Sequence, residues 1–349
     1  MHDPSETAAR SRPVVIGGNA GFARWTNAAL ATVIVAALAV LPPVAEGLDE
    51  SFLIGLFTRI LIFALAAASL DLILGFGGMV SFGHSAYFGA GAYVVAVTSF
   101  HGAGGDAPAW PFALAWFESA LAVWPLAVGA AALLALLIGA VSLRTSGMYF
   151  IMITLAFAQM LYYFFVSLEV YGGDDGLSIA QRNRLTGLDL ENETAFYYVC
   201  LLILAVCLLL GRRLVRSRFG MVLQGCKENE ERMLALGFPV YRYKLTAFVL
   251  AGAAAGLAGA LMANYMGFVD PALMHWTVSG EIMVMVILGG MGTLAGPVIG
   301  AAVLLLLEEI LSAYMEHWMI ILGPVLILVV LFARRGIWGW FERGKDAHV

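Results

Sequence analysis

"SFLIGLFTRILIFALAAASLDLILGFGGMVSFGHSAYFGAGAYVVAVTSF" (51–100) contains two apolar runs, 51–74 and 85–100, separated by a glycine-rich break. About twenty apolar residues in helical form span the hydrocarbon core of a bilayer. The same pattern recurs along the chain, near 27–44, 119–142, 147–168, 195–211, 245–263, 281–291, 295–310 and 318–333. Composition agrees: 61% of the residues are hydrophobic and 12% charged, with a mean hydropathy of +0.88. A soluble core does not need so much apolar material. The expected fold is all-α, a polytopic transmembrane bundle of about ten spans with glycine-rich segments that are broken or re-entrant.

Charge placement gives an orientation, because cytoplasmic loops collect Lys and Arg. With the amino terminus inside, of the 19 basic residues only Arg182 and Arg184 fall outside and Arg59 within a span. The others lie in a tail over 1–26, at Arg144, in a loop over 212–244, or from Arg334 onward. The expected organisation is a cytoplasmic tail (1–26), a membrane domain (27–335) and a second cytoplasmic tail (336–349). The first apolar run reads as a span rather than a cleaved leader, since it is long and ends at Pro42 and Pro43. Cys200, Cys207 and Cys226 have neither an even framework nor a CxxC spacing, so they read as packing residues, with no disulfide or metal.

The break at 75–93 has a partner in "LGGMGTLAGPVIGAA" (288–302), and both contain Gly-Gly-Met. Irregular backbone at membrane depth is tolerated where protein buries it or where it lines a cavity, and glycine also lets helices approach closely. Two readings therefore stand side by side: lining of a translocation path by Gly77, Gly78, Ser81, Gly83, His84, Gly289 and Gly290, or two packing seams. An even number of spans between the breaks makes a parallel repeat the matching arrangement. Arg59 and Asp71 are separated by about 18 Å of helix rise and do not pair. Glu281, Glu308 and Glu309 are expected near the outer boundary, solvated. No catalytic constellation and no GxxxxGK[ST] phosphate cradle occurs, and nothing points to nucleic acid.

Against this apolar background "CKENEERMLALGFP" (226–239) is a charged, well-punctuated segment. Asn229 suits an N-cap, Glu230 and Glu231 complement the positive helix end, Gly237 suits a left-handed ending and Pro239 stops continuation. A surface helix results, fit either to lie on the membrane or to dock a soluble partner.

Four stretches, 70–93, 146–160, 217–261 and 284–301, resemble the larger permease of ABC importers for branched-chain amino acids. The resemblance implies that Asn229, Glu230, Glu231, Arg232, Leu234 and Gly237 form the coupling helix that seats in an ATPase. It implies a second homologous permease, two ATPases that bind ATP and Mg, a periplasmic binding protein, and the bacterial inner membrane with both termini cytoplasmic. It implies no cofactor in this chain. "YGGDDGL" (171–177) has Tyr171 where the family often has Thr, and sister permeases carry urea and short amides, so the substrate stays open. A secondary transporter is the competing class, disfavoured by the scarcity of membrane-depth carboxylates beyond Asp71.

Overall fold

The computed structural model describes residues 51–102, 119–179, 181–185 and 189–314, with Leu38, Val40–Pro43, Gly47, His317, Ile320, Gly323, Pro324, Gly336 and Ile337. The expected spans 27–44 and 318–333 and both tails lie largely outside the described residues. The chain runs through α1 (Ser51–Asp71), which continues into a π-helical turn (Leu72–Phe76), then α2 (His84–Gly102), α3 (Ala120–Ser142) and α4 (Met148–Val166). It proceeds through α5 (Glu193–Val215), α6 (Arg218–Glu228), α7 (Glu230–Ala235), α8 (Val240–Met266), α9 (Trp276–Gly289) and α10 (Gly296–Tyr314). Six of the described helices are long and apolar enough to cross a membrane, those of α1, α3, α4, α5, α8 and α10. The fold is thus all-α and polytopic.

Burial sorts these helices. α1, α2 and α8 form the inner layer, with Ile60, Leu61, Ile62, Leu65 and Leu70 of α1 inaccessible to solvent or nearly so and His84 to Tyr93 of α2 buried throughout. A helix apolar around its whole circumference belongs either in a core or in lipid. α3, α4 and α5 take the outer position and expose Leu121, Leu133, Met148, Met160, Leu202 and Leu209. Small residues make the inner contacts close: a Cβ on Gly91 of α2 would sit 1.9 Å from the Gly256 carbonyl oxygen of α8. On α8 a Cβ at Gly259 would lie 1.8 Å from the Phe88 carbonyl oxygen. Such approach lets dispersion contacts act between backbones where lipid removes any hydrophobic drive for association.

α9 has 14 residues, a rise of about 21 Å, too short for the hydrocarbon core. The chain leaving α8 therefore turns back among the helices before α9 begins, and the Met274 carbonyl accepts Ser85 Oγ at 3.0 Å. α9 and α10 then form a tight hairpin, in which a Cβ on Gly300 would lie 1.8 Å from the Met285 carbonyl oxygen. The expected pair of apolar segments over 281–310 is this hairpin, its first arm beginning earlier than hydropathy placed it, and of the two arms α10 alone is long and apolar enough to cross a membrane.

One end of the bundle carries a clasp between loops. Strands β1 (Leu177–Ser178) and β2 (Phe268–Val269) pair antiparallel, and Ile179 N–H donates to the Gly267 carbonyl at 2.8 Å. Asn183 and Asn264 exchange hydrogen bonds of 2.8 and 2.9 Å, and Arg182 donates to the Asn264 carbonyl at 3.0 Å. At the opposite end lie α6, α7 and both glycine breaks.

Candidate functional site

α6 grows from a sequence pattern that the reading of 226–239 passed over. Ser217 caps it, its hydroxyl accepting Gly220 N–H at 3.5 Å. Phe219, Val222, Leu223 and Cys226 recur at helical spacing, and Val222, Leu223 and Cys226 are buried. Val222 and Cys226 build a small core with Val240, closed by Met233, Phe238 and Tyr243, while Leu223 packs into the main core of the bundle. Phe219 stacks on Tyr243 with centroids 5.4 Å apart. Burial pushes the Cys226 thiol above its ordinary range, with Lys244 opposing and Glu230 adding to the shift.

α7 stands on this core. Asn229 Oδ1 accepts Arg232 N–H at 2.8 Å, which satisfies a first-turn donor as an N-cap should. At the other end Phe238 N–H reaches the Met233 carbonyl at 3.1 Å and Gly237 N–H the Leu234 carbonyl at 2.9 Å. This is the paired ending of a Schellman motif, and Gly237 takes the φ of +85° that it requires. Met233 and Phe238 are turned inward, while Leu234 and Leu236 are 55% and 66% exposed. Lys244 Nζ meets Glu230 Oε2 at 2.5 Å. Glu231 and Arg232 are exposed. The result is a rigid knob presenting two leucines beside charges of both signs, with both of its ends capped.

The two glycine breaks share a local build. Gly78 and Gly290, the second glycine of each pair, take φ of +68° and +120°, and the next helix begins at equal spacing after Met79 and Met291. Ser81 Oγ accepts Gly83 N–H at 3.2 Å in the first break. Thr293 Oγ1 accepts Gly296 N–H at 3.1 Å in the second. Gly77, Ser81, Gly83, His84, Gly289 and Gly290 are all buried, and Gly78 is exposed. His84 Nε2 lies 2.7 Å from Ser69 Oγ. Ser85 N–H donates to Ser279 Oγ at 2.7 Å and Phe82 N–H to Thr154 Oγ1 at 3.3 Å. Side chains thus satisfy much of the backbone freed where α2 begins, as membrane depth demands.

The breaks also touch one another. Asp71 Oδ1 accepts Gly292 N–H at 2.8 Å, and a Cβ on Gly75 would lie 2.3 Å from the Gly292 nitrogen. Lys227, in the last turn of α6, donates from Nζ to the Gly75 carbonyl at 2.7 Å. Sequence reading assigned Asp71 no partner and counted Lys227 only among the basic residues of the 212–244 loop.

The profile of the branched-chain amino acid transport system/permease component family matches residues 52–330, which takes in every long helix described above. The chain belongs to this family. The permease is 27% identical to the high-affinity branched-chain amino acid transport system permease protein LivM of Salmonella typhimurium over 305 residues, 80% of this chain and 68% of that one. LivM of Escherichia coli K12 gives the same identity and coverage. The E. coli K12 permease LivH is 30% identical over 125 residues, 35% of this chain and 40% of its own length. No solved structure gives a significant match. The permease shares the longer alignment with LivM, in line with the resemblance to the larger partner of such pairs.

Proposed function

We propose that this permease is the membrane-spanning subunit of an ATP-driven importer in a bacterial inner membrane, moving branched-chain amino acids or related small amino acids. It pairs with a second homologous permease, receives substrate from a periplasmic binding protein, and works with two ATPases that bind ATP and Mg. Both termini and the α6–α7 loop face the cytoplasm, and the bundle has about ten spans, with short, broken or re-entrant segments among them. The names of its LivM and LivH relatives support the substrate class, and the concentration of basic residues at the α6–α7 end supports the orientation.

One observation carries the coupling role. α7 is capped at both ends and braced from beneath, yet leaves Leu234 and Leu236 exposed. A helix built only to lie on lipid would turn its apolar side chains together into the membrane. Here Met233 and Phe238 serve the brace, and the remaining leucines project from it for a cleft in another protein. Among the path candidates, Ser81 and Gly83 flank Phe82, whose ring is 6.4 Å from that of the half-exposed Trp276. That face is where a second permease would complete a passage.

The test is reconstitution of the full complex in proteoliposomes. ATP-dependent uptake of leucine, competed by isoleucine and valine but not by urea, is the expected result. Uptake of urea or acetamide in preference to leucine would overturn the substrate, and leucine uptake driven by an ion gradient without ATP would overturn the class.

A further inference from the structure

We propose that Lys227 and Asp71 are the two pins that carry movement of the α6–α7 loop into both glycine breaks. The inference rests on the reading of α7 as the docking element and adds the route by which its displacement reaches the spans.

The route begins at the end of α6, two residues before the Asn229 cap. The Lys227 stem crosses Gly78 so closely that a Cβ there would lie 2.9 Å from Lys227 Cγ. Its ammonium then reaches the Gly75 carbonyl at 2.7 Å. Gly75 belongs to the π-helical turn, where the neighbouring carbonyls of Ile73 and Leu74 are taken by Met79 and Gly78 N–H groups at 2.8 and 3.2 Å. A cation on a carbonyl at a helix C-terminal end gains from the helix dipole and from a charge-assisted bond. π-turns interrupt the regular ladder and recur at functional sites.

From Gly75 the connection passes directly to the second break. A Cβ at Gly75 would be 2.0 Å from Asp71 Oδ1 and 2.3 Å from the Gly292 nitrogen. The loop, the end of α1 and the turn between α9 and α10 therefore meet within one residue. Asp71 is 1% exposed and its Oδ1 holds Gly292 N–H at 2.8 Å. Gly292 itself has φ of +76°. Pulling α6 outward draws on the π-turn through Lys227, and the π-turn cannot shift without Asp71 and the second break following. Contiguous contacts of this kind carry energy between sites when the element they join has more than one arrangement.

Variants of the complete complex provide the test, each scored for ATPase co-purification and for hydrolysis stimulated by substrate-loaded binding protein. Lys227→Met keeps the stem and removes the ammonium, and Asp71→Ala removes the acceptor. Both should retain the ATPases yet lose stimulation by roughly tenfold or more, the scale of a charge-assisted hydrogen bond. Lys227→Arg and Asp71→Asn, which preserve a donor and an acceptor, should restore most of it. Normal stimulation in Lys227→Met overturns the linkage and leaves docking by α7 intact. Loss of the ATPases from Lys227→Met places that residue in the docking face and also overturns the linkage. If Lys227→Met or Asp71→Ala does not assemble, hydrogen exchange in the wild-type complex decides. Peptides covering 72–79 and 290–296 should change protection together on binding a non-hydrolysable ATP analogue, and a change in neither or in one alone overturns it.

Discussion

Arg59 of α1 meets Glu308 of α10, with Nη2 3.4 Å from Oε1 and the two side chains 30% and 18% exposed. The guanidinium also lies 5.8 Å from the centroid of the Phe63 ring. Removing one partner of a partly buried pair strands the other, at a cost between that of exposed and buried pairs, about 1–2 kcal/mol. Arg59→Met is expected to lower the thermal midpoint of the purified permease in detergent. The reversed pair Arg59→Glu with Glu308→Arg is expected to regain most of it.

At α7, Glu231→Lys places the wrong charge on the exposed face, and a reversed charge in a desolvated contact weakens binding steeply. Gly237→Val forces a β-branched residue into φ of +85°, although no atom lies within 4 Å of a Cβ there, so the penalty is conformational. Both variants should insert and pair with the second permease but fail to retain the ATPases on co-purification. Asn229→Ala loses only a cap, about 1 kcal/mol, and should show partial retention. Full transport by Glu231→Lys and Gly237→Val would remove α7 from the coupling role.

Glycine positions separate packing from tolerance. Gly91→Val drives side-chain atoms into the Gly256 backbone of α8, where even a Cβ would lie 1.9 Å from oxygen, and should abolish folded permease in fluorescence-detected chromatography. Gly129, within α3, has nothing within 4 Å of a Cβ. Gly129→Ala should therefore stabilise by about 0.5 kcal/mol, through helix propensity and a less flexible unfolded chain.

Topology can be read by labelling. A membrane-impermeant maleimide added outside intact spheroplasts should modify Asp174→Cys and leave Glu231→Cys unmodified until the membrane is opened. Both positions are exposed in the structure, so differential access reports the side of the membrane. External labelling at 231 would invert the orientation.

Cys226 offers a native reporter of the loop's small core. It is 4% exposed, and burial raises its thiol, with Lys244 opposing and Glu230 adding to the shift. A raised pKa lowers the thiolate fraction at neutral pH, so modification should be slow at pH 7 and should accelerate as pH rises past the ordinary thiol range. The Cys200→Ser, Cys207→Ser background isolates the signal. Fast labelling at pH 7 would show the core to be open.

The spans and α7 were legible because local chemistry specifies them: long apolar runs for the former, Asn229, Gly237 and Pro239 for the latter. α6 has an equally local signal, since Ser217 precedes an apolar repeat at Phe219, Val222, Leu223 and Cys226, but the charges interleaved with that repeat mask it. Other features were not local. Lys227 and Gly75 are 152 residues apart, and Arg59 and Glu308 are 249 apart. Spacing along the chain carries no trace of either contact, and so Glu308 was expected in solvent. The π-turn at Leu72–Phe76 is likewise set by what meets Gly75 in space. The path candidates are glycines and residues close to them in the chain, and glycine marks close backbone approach without saying what the approach serves.

The clasp formed by Leu177–Ser178 and Phe268–Val269, with Asn183 and Asn264 beside it, ties together two loops that leave different helices. The amide protons of Ile179 and Asn183 are held by bonds that cross between the two segments, and they are expected to exchange with water as one cooperative opening unit. A protein landing on either loop would slow exchange in both, so the footprint of such a partner measured by deuterium uptake would be wider than the surface it covers.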